Sequence, residues 1–148
     1  MANAIRQAVK QTSHGTNAIP GGGITELWQV FDAEPIATTA NVESLVSTSL
    51  TRLGFLLVEF EYFGLWIQAT SATGTADVLV EIQQSYNDTA ANYIEPAVGS
   101  VVVSALTNEA VNVYALTPSP MPFMRIQVTG NAANPADTVV TAFLWMQS

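Results

Sequence analysis

From Ile24 onward, apolar and polar positions alternate with a period of two. Val78, Val80 and Ile82 alternate with Asp77, Leu79, Glu81 and Gln83, and Met124, Ile126 and Val128 alternate with Arg125, Gln127 and Thr129. Leu56, Val58, Phe60 and Tyr62 form another such face, with Glu59 and Glu61 opposite. Successive side chains of a strand point to opposite faces, so this pattern predicts strands with one face on a core and one toward solvent. Segments rich in β-branched and aromatic residues predict further strands at 25–31, 42–50, 65–70, 100–106, 110–116 and 138–146. Turn-forming residues separate them at Ser71 to Gly74, Asn87-Asp88, Pro96 to Gly99, Thr107-Asn108, Pro118 to Pro122 and Gly130 to Pro135. Eight or nine short strands at this spacing predict an all-β fold: a single antiparallel β-sandwich, with jelly-roll topology as one option.

The last predicted strand is apolar on both sides. Val140, Ala142, Leu144 and Met146 share one face, while Val139, Phe143 and Trp145 share the other. A strand of this kind is covered on both faces, yet a small sandwich covers one. Phe143 and Trp145 therefore need a second cover, from a neighbouring subunit, from the N-terminal segment, or from a loop of the same chain.

Residues 1–23 read as an extended N-terminal arm ahead of a sandwich domain at 24–148. The arm ends in Pro20-Gly21-Gly22-Gly23, a run that continues neither helix nor strand economically and reads as a hinge. Ile5 and Val9 give it weak helical periodicity without a cap. Ordering each residue costs roughly 1–2 kcal/mol of backbone entropy, so an ordered arm needs contacts outside itself. Ile5, Val9 and Ile19 are its aliphatic anchors, and Arg6 and Lys10 suit the acidic surface of a neighbour. With Phe143 and Trp145, these five residues make up the candidate assembly interface.

Composition sharpens this picture. The chain has 148 residues, enough for one domain. It is 49% hydrophobic and 11% charged, where an average soluble domain is about 25% charged. Neutral polar groups are easier to desolvate than ions, so such a surface suits a subunit that spends its life inside an assembly. The net charge is −8, and the basic residues are Arg6, Lys10, Arg52 and Arg125. They form no cluster able to displace counterions from phosphates or to hold an anionic membrane, so neither nucleic acid nor membrane is an expected partner. The N-terminal stretch MANAIRQAVKQTSHG lacks the apolar core of a signal peptide. No apolar run reaches the ~18 residues of a membrane span. Synthesis and folding in the cytoplasm are the expectation.

Candidate chemistry is sparse. There is no cysteine, and His14 is the one histidine, which removes the usual Zn ligand sets. A serine triad would have to recruit His14 from the arm, and no Gly-x-Ser-x-Gly elbow is present. The Gly21-Gly22-Gly23 run is not followed by the Lys-Ser/Thr of a phosphate loop. Glu59 and Glu61 on one strand face would have Cα atoms roughly 6.5–7 Å apart, a spacing open to a glycosidase pair. Acids so placed also simply discourage edge pairing. A Ca²⁺ site at Asn87-Asp88, helped by Asp77 or Glu95, would use suitable oxygens but lacks EF-hand spacing. The expectation is no catalytic residue, no metal site and no cofactor.

Two stretches carry a resemblance. The first runs Ala76-Asp77-Val78-Leu79-Val80-Glu81-Ile82-Gln83-Gln84-Ser85, with Asn87-Asp88 and Tyr93-Ile94-Glu95-Pro96 after it. The second runs Pro122-Phe123-Met124-Arg125-Ile126-Gln127-Val128-Thr129-Gly130-Asn131, with Asn134-Pro135-Ala136-Asp137-Thr138 after it. Together, across roughly residues 64–146, they resemble small β-sandwich virion proteins of tailed bacteriophages, which decorate or cement capsids or form fibres and connectors. The arm lies outside the match. The resemblance implies a non-enzymatic structural subunit of a virion or similar assembly, foremost a capsid decoration or cementing protein that self-associates through its arm and an apolar strand face. Its implied partners are other copies of itself and a major capsid or other virion protein, and its implied location is the virion. The alternative is a carbohydrate-binding β-sandwich module in which Trp28, Trp66, Tyr86 or Tyr93 stacks on sugar rings.

Overall fold

The computed structural model describes residues 4–7, 9–14, 25–36, 41–45, 54–56, 60–94, 111–116 and 121–148. These residues form strands β1 (Ala4–Gln7), β2 (Val9–His14), β3 (Thr25–Pro35), β4 (Asn41–Leu45), β5 (Phe55–Leu56), β6 (Tyr62–Thr70), β7 (Val78–Ser85), β8 (Val111–Leu116), β9 (Phe123–Gly130) and β10 (Val139–Gln147). A single 3-10 turn, Ala90–Asn92, is the sole helical piece among the described residues.

Two sheets result. In the first, β7 pairs antiparallel along one whole side of β9, with Ile82 opposite Ile126. β4 and β5 share the other side of β9, opposite residues 127–129 and 123–124 respectively. β1 adds to β4 in parallel. The second sheet has the order β2-β3-β10-β6-β8 and is antiparallel throughout. From β5 to β10 each strand crosses to the opposite sheet. The interleaved orders β3-β10-β6-β8 and β4/β5-β9-β7 are those of a jelly roll. An isolated antiparallel bridge also pairs Gln84 with Ile94.

The core lies between the sheets and follows the period-two pattern. Val78, Val80, Ile126 and Val128 of the first sheet face Leu65, Ile67, Val140, Ala142 and Leu144 of the second, all essentially sealed from solvent. Each large aliphatic side chain buried in this way contributes roughly 1.5–3 kcal/mol. Trp28 joins the layers by an edge-on contact with Phe55, ring centroids 5.6 Å apart.

Three expectations are corrected or refined. The face proposed for Leu56 to Tyr62 does not exist as one strand: β5 pairs with β9, whereas β6 belongs to the other sheet. Changing sheets resets the alternation, so Tyr62 is 59% exposed while Phe63, Leu65 and Ile67 turn inward. β3 extends past the predicted residue 31 to Pro35 through an irregularity in its pairing with β10. There Val30 and Phe31 are both buried, and Ala33 adopts a positive φ of 47° and donates its N–H to Thr141 Oγ1. The extended arm, finally, has backbone partners inside this chain. Ile5 lies opposite Glu43 and Val9 opposite Gln29, so β1 lies at the edge of one sheet and β2 at the edge of the other. The apparent helical spacing of Ile5 and Val9 separates two strands. Their pairing occupies edge N–H and C=O groups of β3 and β4 that would otherwise stand open. The segments predicted at 100–106 and the turns at 96–99 and 107–108 lie outside the described residues.

One end of the sandwich is held by side chains. Asn134 Oδ1 accepts from Asp77 N and Thr138 Oγ1, each at 2.9 Å, and its Nδ2 donates to Ile36 O at 2.8 Å. Asp137 accepts from Ser71 Oγ and Thr73 Oγ1 at 2.7 Å and from Ala72 N at 3.0 Å. These contacts tie the loop before β10 to the loop after β6 and hold Val139 opposite Thr70.

Candidate functional site

β10 runs between β3 and β6, so its outward residues sit in the middle of the second sheet's outer face. Register sets the rows: Trp145 lies between Leu27 and Gly64, and Phe143 lies between Gln29 and Trp66. The Trp66 and Phe143 rings meet edge-on, with centroids 5.6 Å apart at 63°. Trp145 is 38% exposed, and Tyr62 extends the aromatic surface at the end of β6. Neither Leu27 and Gln29 nor the outward positions of β6 and β10 carry a charge. The exposed acids Asp32 and Glu61 lie beyond the central rows.

The outer face of the first sheet is built differently. Arg125 donates from Nε to Gln83 Oε1 at 2.7 Å, and Gln83 Nε2 donates to Gln127 Oε1 at 3.1 Å. The Arg125 guanidinium carbon lies 4.5 Å from the centre of the Tyr93 ring, within cation–π range. Tyr93 Oη donates to Asp88 Oδ1 at 2.6 Å, and the same oxygen accepts from Gly54 N at 2.9 Å. Gly54 is required here, because a Cβ would collide with Tyr93 Oη and come within 2.8 Å of Met124 O. The alternation puts Arg125 on the polar face of β9, and there it is 6% exposed, beneath Tyr93; Asp137 sits beyond the other end of β9 and bonds to Ser71, Thr73 and Ala72.

Of the candidate interface residues, Phe143 and Trp145 come together on the outer face of the second sheet. Ile5 and Arg6 lie on β1 and Val9 and Lys10 on β2, at the edges of different sheets. Ile19 lies outside the described residues. The structure adds Trp66, Gly64 and Leu27 to the aromatic pair. Their signal was the alternation of Gly64, Trp66 and Gln68 against Leu65 and Ile67, which becomes meaningful once β6 is known to neighbour β10. Among the sugar-stacking candidates, Trp28 packs on the core and Tyr93 is buried, whereas Tyr86 is exposed.

The remaining chemical candidates do not converge. His14 lies opposite Thr25 at the end of β2. Glu61 is exposed, and Glu59 and Glu95 lie outside the described residues. Asp77 and Asp88 flank opposite ends of the eight-residue β7, a strand roughly 26 Å long, so they cannot share one Ca²⁺. Among the described residues, no three His, Asp or Glu side chains gather to hold a metal ion.

No protein-family model and no curated protein matches the sequence. Among solved structures, the chain is similar to the coat protein of Tobacco streak virus, at 10% identity over 84% of this chain and 86% of that one, with a TM-score of 0.38. It is also similar to PliG of Aeromonas hydrophila, a periplasmic inhibitor of g-type lysozyme, at 10% identity over 99% and 100% of the two chains, with a TM-score of 0.32. Likenesses this loose decide nothing about function.

Proposed function

We propose that the chain is a non-enzymatic structural subunit of a virion or similar protein shell, a capsid decoration or cementing protein. The observation that carries this reading is the uncharged aromatic face formed by Trp66, Phe143 and Trp145 on the second sheet. Contiguous exposed apolar surface on a rigid sheet is costly to leave in water and marks a contact surface. Interface centres are depleted in charge and enriched in aromatics, as this face is. The jelly roll is compatible with shell building and equally with lectins, so the fold alone does not select a function.

Sugar binding is less well supported. Stacking wants an open ring face with polar groups beside it, yet Trp66 is half-buried and packed against the Phe143 ring, and Trp28 and Tyr93 are occupied inside the molecule. The test is electron microscopy and sedimentation of the purified chain, alone and with capsids that lack it. Ordered arrays or saturable binding to capsids are expected. A strict monomer that ignores capsids but binds a glycan array, and loses that binding on Trp66→Ala, would overturn the reading.

A further inference from the structure

We infer that a second copy of this chain occupies the outer face of the second sheet, packed about a two-fold axis along the seam between β6 and β10. The inference rests on the structural-subunit reading and names the occupant of its contact face. Charge selects the occupant. With a net charge of −8, two copies repel wherever their acids meet, and bringing carboxylates together also costs their desolvation. The rows Leu27–Trp145–Gly64 and Gln29–Phe143–Trp66 contain no charge, so two copies can approach there without either cost.

Register supplies the fit. Trp145, 38% exposed in the central rows of the face, stands directly beside Gly64, which has no side chain. A knob therefore adjoins a notch on the same rung. A two-fold axis between them, parallel to the strands, carries Trp145 of each copy over Gly64 of the other. The same rotation carries Phe143 over Trp66 in the next row, aromatic on aromatic. Contacts of this reciprocal kind are what an isologous interface requires, and sheets stacked ~10 Å apart with aligned strands are an ordinary packing.

The inference is tested by sedimentation velocity up to about 100 µM, a range that detects micromolar dissociation constants. Wild type is expected to dimerise, and so is Tyr86→Ser, which removes an exposed aromatic away from the face. Trp145→Glu and Gly64→Val are each expected to weaken the dimer about 100-fold, as loss of a central hot spot does. Gly64→Val fills the notch with a residue that strands favour, so its melting temperature should not fall, and its monomeric state would not reflect misfolding. Dimers that persist in both variants would overturn the inference. So would a wild type that stays monomeric while Trp145→Glu loses capsid binding; that result would give the face to another virion protein and leave the structural-subunit reading standing.

Discussion

The two outer faces of this sandwich solve the same problem in opposite ways. On the first sheet, Arg125 and Gln127 are each 6% exposed, and Gln83 joins them by hydrogen bonds at 2.7 and 3.1 Å under the Tyr93 ring. Its polar groups find partners inside the molecule. On the second sheet, Trp66, Phe143 and Trp145 hold no charge among them, and Trp145 is 38% exposed. Apolar surface is satisfied only by exclusion of water, and Trp145 leaves part of its ring surface in solvent. Both faces are outward positions of period-two strands. What separates them is where their free energy is recovered: within the chain on one side, by association on the other.

Adjacent residues of β10 give the largest contrast. Leu144 is fully buried, and Leu144→Ala should lower folding stability by roughly 3–4 kcal/mol, read from urea denaturation. Trp145→Ser, one residue on, should leave the fold within about 1 kcal/mol of wild type, as surface changes usually do, while weakening association. Equal destabilisation by the two would make the outer face part of the core and erase the comparison. Next in size is Arg125→Met. It preserves the bulk of the side chain but leaves Gln83 Oε1 without the 2.7 Å bond from Arg125 Nε, and should cost about 2 kcal/mol with no effect on association. A dimer lost along with that bond would show that the polar face takes part in assembly. Salt has a smaller effect: at about 1 M NaCl, where the Debye length is ~3 Å, the dimer should be unchanged or modestly tighter, because only the general repulsion between acidic copies is screened. Dissociation by salt would mean that ion pairs hold the copies together.

How much of this was legible depended on whether the relevant contact was local. The strands at 78–83 and 124–129 could be read because they keep strict period two, and the one at 138–146 from its β-branched and aromatic residues, whose alternate positions gave the opposed faces of β10. The break between Leu56 and Tyr62 could not, since alternation says nothing about which sheet a residue belongs to. Arg125 was placed on the correct side of its strand, but its cover, Tyr93, comes from a turn thirty-two positions away. The pairing of residues 4–14 was missed because edge pairing uses backbone groups, which leave little trace in side-chain pattern. In the interface, Phe143 and Trp145 announced themselves by alternation, whereas Gly64 acquires significance only from lying opposite Trp145.

The smallest predicted effect concerns what keeps the two faces of β10 from changing places. A one-residue slip in strand register exchanges every outward side chain with an inward one, so the loop before β10 must fix where the strand starts. Asp137 belongs to that loop and accepts from Ser71 Oγ, Thr73 Oγ1 and Ala72 N. The hydrogen bonds from Ser71 and then Thr73 hold its pKa below the ordinary aspartate value, with the backbone of Ala72 adding to them and desolvation opposing. A carboxylate whose folded-state pKa is depressed contributes stability above its unfolded pKa and loses that contribution as pH falls through the folded value. The contribution should therefore be complete at neutral pH and vanish on the acid side of the ordinary aspartate range. Because the group is exposed, solvent screens it and the effect is modest. Asp137→Asn, which abolishes the charge at every pH, should melt slightly below wild type at neutral pH, and the gap should close on acidification. A gap that persists in strong acid would show that the loop is held by the shape of the side chain rather than by its charge, and that register is guarded by Asn134 and its bonds to Asp77, Thr138 and Ile36 instead.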